Sequence, residues 1–115
     1  MNVIFYQKED GTEPAKEFLM ELDSKMRAKI ARNVDQLIAE GHNLRAPVSK
    51  NLGDGILGLR TIFGNNISRV LYFFIFGDTA VLTNGFIKKT QKTPPEEIAR
   101  AKRYRDDYYQ RRKPS

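Results

Sequence analysis

The chain has 115 residues, of which 40% are hydrophobic and 30% charged, and it contains no cysteine. This length and balance predict one globular domain with a single core. The absence of cysteine excludes disulfides and a thiolate nucleophile, and it fits a reducing compartment. The most apolar run, VLYFFIF at 70–76, is far below the roughly 20 residues that a membrane-spanning helix needs. We therefore expect a cytoplasmic protein that does not contact a membrane.

The net charge of +6 is concentrated at one end of the chain. Residues 1–87 contain 10 Lys/Arg and 10 Asp/Glu, whereas residues 88–115 contain 10 Lys/Arg against 4 Asp/Glu. Such polarisation creates a local positive field, which is typical of proteins with a phosphate-rich or acidic partner. A basic tail that only aids solubility is the alternative.

The N-terminal half predicts one strand and two helices. Residues 2–7 (NVIFYQ) are rich in β-branched and aromatic side chains and predict a strand. A first helix with Pro14 in its first turn ends near Asp23. A second helix follows at about 24–40, with an apolar stripe at steps of three and four that ends in Leu37 and Ile38.

The C-terminal half predicts three strands and a helix. Residues 42–55 are loop-like, and strands are expected at 56–63, 67–76 and 80–87, separated by the turn sequences GNN and GD. The middle strand is apolar on both faces from Val70 onward, which places it inside the sheet. A last helix at about 94–112 begins in TPPEE, where Thr93 and Glu96 match a capping box. The order β-α-α-β-β-β-α predicts an α+β fold.

The candidate chemistry is cationic. His42 is the single histidine, so the usual histidine-based metal sites are not expected. The sequence GDGILG lacks the helix and lysine of a phosphate-binding P-loop, so its glycines are interpreted as turn and bulge residues. What remains are Arg60 and Arg69, each within an apolar strand, and the lysine cluster that begins at Lys88.

The turn between the two arginine strands decides whether Arg60 and Arg69 share a face. A two-residue turn at Asn65 and Asn66 places both arginines on one face, whereas a three-residue turn from Gly64 to Asn66 places them on opposite faces. Two-residue turns rich in asparagine favour the shared face. An arginine that merely pairs with a nearby carboxylate is the competing interpretation.

The hairpin LR…SRVLYFF and the segment GFIKKTQKTPPEEIARA, in this order of elements, resemble the RelE/ParE toxin superfamily, and within it the phage-derived HigB-like branch of type II toxin–antitoxin toxins. The resemblance covers nearly the whole chain. It implies a single toxin domain over residues 1–115, with a mostly antiparallel sheet and the two N-terminal helices packed on one of its faces. It also implies a ribosome-dependent mRNA endoribonuclease that inhibits translation without a metal or cofactor.

The resemblance further implies partners and site residues. The expected partners are the ribosome, mRNA and a cognate antitoxin, for which we expect a helix-turn-helix protein with an acidic or amphipathic contacting segment. The expected catalytic residues are Arg60, Arg69, Lys88 and Lys89. The expected RNA-binding residues are Lys50, Lys92, Lys102 and Arg103.

A site of arginines and lysines suits RNA cleavage by attack of the ribose 2′-OH on the adjacent phosphorus. Fixed cations stabilise the charge that develops on the phosphate oxygens, and crowding lowers the pKa of a lysine towards neutral pH. Some relatives have several histidines near the site, and this chain does not match them because His42 is its single histidine. Other members use a C-terminal tyrosine, for which the candidates here are Tyr104, Tyr108 and Tyr109. Two alternatives stay open, a ParE-like DNA gyrase inhibitor and a non-catalytic basic nucleic-acid-binding module.

Overall fold

The computed structural model describes residues 1–88 and 92–112. Within these ranges the strands are β1 (Asn2–Phe5), β2 (Ser49–Gly53), β3 (Ile56–Phe63), β4 (Asn66–Ile75) and β5 (Thr79–Lys88). The helices are α1 (Pro14–Met20), α2 (Ser24–Glu40) and α3 (Pro95–Arg111), and a short 3-10 turn, Gly41–Asn43, follows α2. The predicted α+β class and order of elements are confirmed. Strand β2 is an addition, because it lies in the segment 42–55 that was predicted as loop.

One five-stranded sheet, in the order β1-β5-β4-β3-β2, organises the fold. Strand β1 pairs with β5 in parallel, and the other neighbours are antiparallel. Strand β4 lies at the centre, as its apolar sequence predicted. Four consecutive residues of β4, 70–73, are no more than 1% exposed, and since successive side chains of a strand point to opposite faces, both faces of β4 are covered.

Helices α1 and α2 cover one face of the sheet, which confirms their predicted packing. Ala15, Met26 and Ile30 are buried against sheet residues that include Leu59 and Tyr72. Each large apolar side chain that is fully buried here contributes about 1.5–3 kcal/mol. Within the apolar stripe of α2, Leu37 is fully buried, whereas Ile38 at the end of the stripe is 40% exposed.

Helix α3 covers part of the opposite face. Its Ala101 and Tyr108 are buried in a second cluster that contains Leu71 and Phe73. The ring of Tyr104 stacks on Tyr6 with centroids 4.7 Å apart. The helix therefore covers the part of this face that carries the apolar cluster and leaves another part to polar side chains.

Two carboxylates attach α3 to the rest of the domain. Asp54, in the β2–β3 turn, accepts a hydrogen bond from Arg105 Nη2 at 3.1 Å and pairs with Lys102 Nζ at 3.5 Å. Asp107 accepts from Tyr6 OH at 2.5 Å and from Arg111 Nε at 2.9 Å. Lys102 and Arg105 thus connect α3 to the β2–β3 turn, whereas the pair of Arg111 and Asp107 lies within α3.

Among residues 1–88 and 92–112, no helix combines the length and the apolar character needed to cross a bilayer.

Candidate functional site

The register of the sheet brings the two strand arginines together. Arg60 on β3 is the direct cross-strand partner of Arg69 on β4. Directly opposed residues point to the same face, with Cβ atoms about 4.5–5.5 Å apart. The predicted shared face is confirmed, and within the described ranges neither arginine forms an ion pair with a carboxylate.

The turn that produces this register differs from the predicted one. Phe63 pairs with Asn66, so the two turn residues are Gly64 and Asn65 rather than Asn65 and Asn66. Gly64 adopts a φ of 60°, a left-handed conformation that costs glycine little. The correction moves the partner of Arg60 by two residues, from Leu71 to Arg69, and a shift of two leaves the face unchanged.

Lysines from the two flanking strands complete a basic cleft at this end of the face. Lys88 on β5 pairs with Ile67 and lies two residues beyond Phe86, the partner of Arg69, so its side chain points to the same face. Lys50 on β2 pairs with a residue two positions before Arg60, which also places it on that face. The resulting cleft has a volume of about 420 Å³ and includes the loop residues at 46–47. We call the set Lys50, Arg60, Arg69 and Lys88 the basic cleft.

Charge in the basic cleft is not balanced. The described residues that line it carry four cationic side chains and no carboxylate. Three of the four, Lys50, Arg60 and Arg69, come from the part of the sequence whose total charge is zero. The excess of charge after residue 87 therefore includes only one cation of the cleft, Lys88. The fold brings the other three cations beside it.

Arg69 occupies the floor of the basic cleft and is 2% exposed. Its Nη1 donates to Thr93 Oγ1 at 3.1 Å, whereas its Nε is buried without a hydrogen-bond partner among the described residues. Burial, and then the neighbouring charge of Arg60, lowers the pKa of Arg69. Buried guanidinium groups normally have carboxylate partners, so the environment of this side chain is unusual.

Thr93 corrects the predicted start of the last helix. Helix α3 begins at Pro95, its N-cap is Pro94, and no side chain caps it. The predicted capping box of Thr93 and Glu96 was therefore wrong. Thr93 is instead 9% exposed and uses its hydroxyl oxygen to accept the hydrogen bond from Arg69.

The surroundings of Lys88 lower the pKa of its amine. Partial burial is the largest cause that lowers its pKa, followed by the charges of Arg69, Lys50 and Arg60. The direction agrees with the crowding argument, although desolvation contributes more than any single neighbouring charge. A lowered pKa increases the fraction of neutral amine near physiological pH, which is the form that accepts a proton.

The remaining predicted site residues lie elsewhere or outside the described residues. Lys89 falls in 89–91 and is outside them. Lys92 is exposed just before α3, and Arg103 is exposed on α3. Lys102 is tied to Asp54. The structure thus groups Lys50 with the predicted catalytic residues Arg60, Arg69 and Lys88, and their roles stay predictions.

The candidate tyrosines and the histidine have packing roles. Tyr108 is 6% exposed, Tyr104 stacks on Tyr6, and Tyr109 lies 5.8 Å from the ring of Phe73. His42 stacks against Phe74 at 4.0 Å, and its Nε2 is 2.9 Å from the carbonyl oxygen of Gly77. None of these four side chains belongs to the described lining of the basic cleft.

The domain is thus a small α+β protein with a sheet whose uncovered end forms a cationic cleft. The model of the family described as phage derived protein Gp49-like (DUF891) matches residues 17–106. The chain belongs to this family, which is known for toxins of toxin–antitoxin systems related to RelE/ParE-type toxins. Membership indicates an antitoxin as a partner. No curated protein matches the chain.

Proposed function

We propose that this chain is a toxin that cleaves mRNA on the ribosome, as expected for the HigB-like branch that its motifs resemble. The observation that carries the proposal is Arg69, a guanidinium that is 2% exposed, lacks a carboxylate partner and has a buried Nε without a hydrogen bond among the described residues. Such a group is costly to keep. An anionic ligand that enters the basic cleft would compensate this cost.

A phosphodiester fits the chemistry of the cleft better than a carboxylate ligand does. In cleavage, the ribose 2′ oxygen forms a bond to phosphorus, the bond from phosphorus to the 5′ oxygen breaks, and the phosphate oxygens gain charge in between. Arg69 and Arg60 stabilise that charge through charge-assisted hydrogen bonds. The products are a 2′,3′-cyclic phosphate and a 5′-hydroxyl.

Proton transfer is assigned to Lys88. Its neutral amine takes the proton from the 2′-OH, and the lowered pKa of Lys88 makes this form more abundant than in an ordinary lysine. The leaving 5′ oxygen receives its proton from water or from Lys88 once it is protonated. Lys50 holds the flanking backbone by its charge.

The ribosome is expected to orient the mRNA, because the small cleft offers few groups that could do so. The cleft is open and cationic, so it attracts any phosphate, but it offers few groups that would fix the 2′-OH in line with the leaving oxygen. Correct orientation contributes as much as several kcal/mol to a rate. We therefore expect cleavage of translated mRNA and little cleavage of free RNA.

The test uses purified protein, ribosomes programmed with a labelled mRNA, and mapping of the 5′ ends. Arg69→Lys retains the charge but loses the planar fork, and we expect its rate to fall about a hundredfold or more. Lys88→Met is expected to lose a similar factor. The matched control is Arg32→Ala, which removes an exposed cation of α2 on the other side of the sheet and should leave the rate unchanged.

Intact mRNA together with inhibited DNA gyrase would replace the proposal by the ParE-like alternative. Wild-type rates in Arg69→Lys would remove Arg69 from the mechanism. Binding to ribosomes without any cleavage would favour the non-catalytic module.

A further inference from the structure

A glycine lies directly beneath the side chain of Arg69. Gly58 on β3 points to the same face two residues before Arg60, and a Cβ atom there would lie 2.7 Å from Arg69 Cδ and 3.0 Å from Arg69 Cγ. Gly58 is not among the glycines with positive φ, so its backbone accepts any residue. Glycine within a strand weakens the strand unless another group needs the space. Here that group is the stem of Arg69.

Thr93 contacts the other end of the same side chain. Its Oγ1 accepts from Arg69 Nη1 at 3.1 Å, and both residues are at least nine-tenths buried. Gly58 acts on the middle of the side chain and Thr93 on one terminal nitrogen, so the two contacts together restrict its torsion angles and the plane of the guanidinium.

The arrangement also determines which edge of the guanidinium keeps a nitrogen without a hydrogen-bond partner among the described residues. One side of a guanidinium presents Nε and Nη2 together, and this pair matches the spacing of two phosphate oxygens. Thr93 binds Nη1, which does not belong to that pair. The Nε that has no partner among the described residues does belong to it.

We propose that Gly58 and Thr93 are positioning residues that fix the torsion angles of Arg69 and the plane of its guanidinium at the floor of the basic cleft, where a phosphate would bind. They act through Arg69 and need not touch the RNA themselves. The consequence for cleavage rests on the proposed function, whereas the orientation of Arg69 is a property of the domain alone.

The experiment compares two pairs of variants. In the first pair, Gly58→Ala inserts a methyl group against Arg69, and Gly85→Ala inserts one against the ring of Phe18 on the opposite face, where the clash is closer still at 2.3 Å. In the second pair, Thr93→Val removes the hydroxyl at nearly constant shape, and Thr93→Ser keeps it. Each protein is checked for folding by circular dichroism and thermal melting.

Two readouts separate positioning from general destabilisation. The first is kcat for mRNA cleavage on the ribosome, in which a displacement of about 1 Å is expected to cost roughly a hundredfold. We expect that loss in Gly58→Ala and a loss of about tenfold or more in Thr93→Val, while Thr93→Ser recovers most of the rate. Gly85→Ala is expected to melt at a lower temperature yet keep the wild-type kcat per folded molecule.

The second readout is the ¹H–¹⁵N cross-peak of Arg69 Nε–Hε, which needs neither ribosomes nor activity. It should shift and exchange faster with water in Gly58→Ala and Thr93→Val, but not in Gly85→Ala and Thr93→Ser. An unchanged cross-peak in Gly58→Ala and Thr93→Val would overturn the inference. If Gly58→Ala does not fold, the threonine pair alone decides the question.

The two proposals fail in distinguishable ways. A wild-type protein that cuts no mRNA, but whose Arg69 cross-peak moves in the expected variants, contradicts the nuclease function and supports the positioning. A nuclease whose kcat is the same in all four variants supports the function and overturns the positioning.

Discussion

Replacing Arg69 by methionine should make the protein more stable. Arg69 is 2% exposed and has Arg60 as its cross-strand neighbour. The change loses one hydrogen bond to Thr93, worth about 1 kcal/mol, but it removes a buried donor without a partner among the described residues, which costs about 1–3 kcal/mol. It also removes the desolvation penalty of a charge, and replacing buried charges by apolar side chains of similar volume often stabilises by about 1–4 kcal/mol.

The expected net effect is a gain of about 2 kcal/mol in the free energy of unfolding, or roughly 8 °C in melting temperature for a domain of this size. Urea titration of Arg69→Met against the wild type measures it. Arg60→Met is the matched control, because Arg60 is only half-buried and its loss should change the stability by less than about 1 kcal/mol. A loss of stability in Arg69→Met greater than about 1 kcal/mol would show that Arg69 is a structural residue and would remove the main support for the proposed function.

The pKa shifts give two further expected outcomes. If neutral Lys88 accepts the proton, kcat should rise with pH up to its lowered pKa and then level off, and Lys88→Met should lose this rise in a pH–rate profile from pH 6 to 10. Burial, together with the hydrogen bond to Asp107, raises the pKa of Tyr6 to about 12. Because the folded state keeps the phenol proton to a higher pH than the unfolded state does, the stability that this proton confers should decline between about pH 10 and pH 12. Thermal melting of Tyr6→Phe over this pH range should lack the decline.

Most of the fold could be predicted because the decisive patterns are local. The apolar sequence of β4 placed it at the centre of the sheet, and helix α2 spans Ser24–Glu40 as its periodicity indicated. Strand β2 was missed because its sequence, SKNLG, has little β propensity. It forms because pairing with β3 outweighs that preference. Local propensity describes such an edge strand poorly.

The shared face of Arg60 and Arg69 was predicted correctly although the turn residues were not. A hairpin register that is wrong by two residues still places every side chain on the correct face, whereas an error of one would have reversed both. The glycine in Gly64–Asn65 was the available evidence for the true turn, since type I′ and II′ turns favour glycine at these positions.

The details of the site depend on contacts that local patterns do not contain. Thr93 followed by Pro94 and Pro95 resembles a helix start. The Thr93 hydroxyl instead accepts a hydrogen bond from Arg69, which lies 24 positions away. Gly58 looked like a turn or bulge glycine within GDGILG, and its role becomes visible only when the stem of Arg69 is placed over it. At both positions, a contact with the distant Arg69 determines the role of the residue, and the local sequence pattern does not predict it.

The contrast between the basic cleft and α3 favours catalysis over simple electrostatic attraction. A surface that only attracts nucleic acid needs exposed, mobile cations, because its affinity comes from the release of counterions. Helix α3 has such cations: Lys102 and Arg105 are engaged with Asp54, whereas Arg103 is exposed. The cleft instead buries Arg69, which makes its charge less accessible to a diffusing ligand. Such a cost is expected where fixed charges must be in place before the transition state forms, since preorganised groups need no rearrangement when charge develops. The proposed function thus accounts for the energy lost in burying Arg69 as preparation for chemistry on a phosphate.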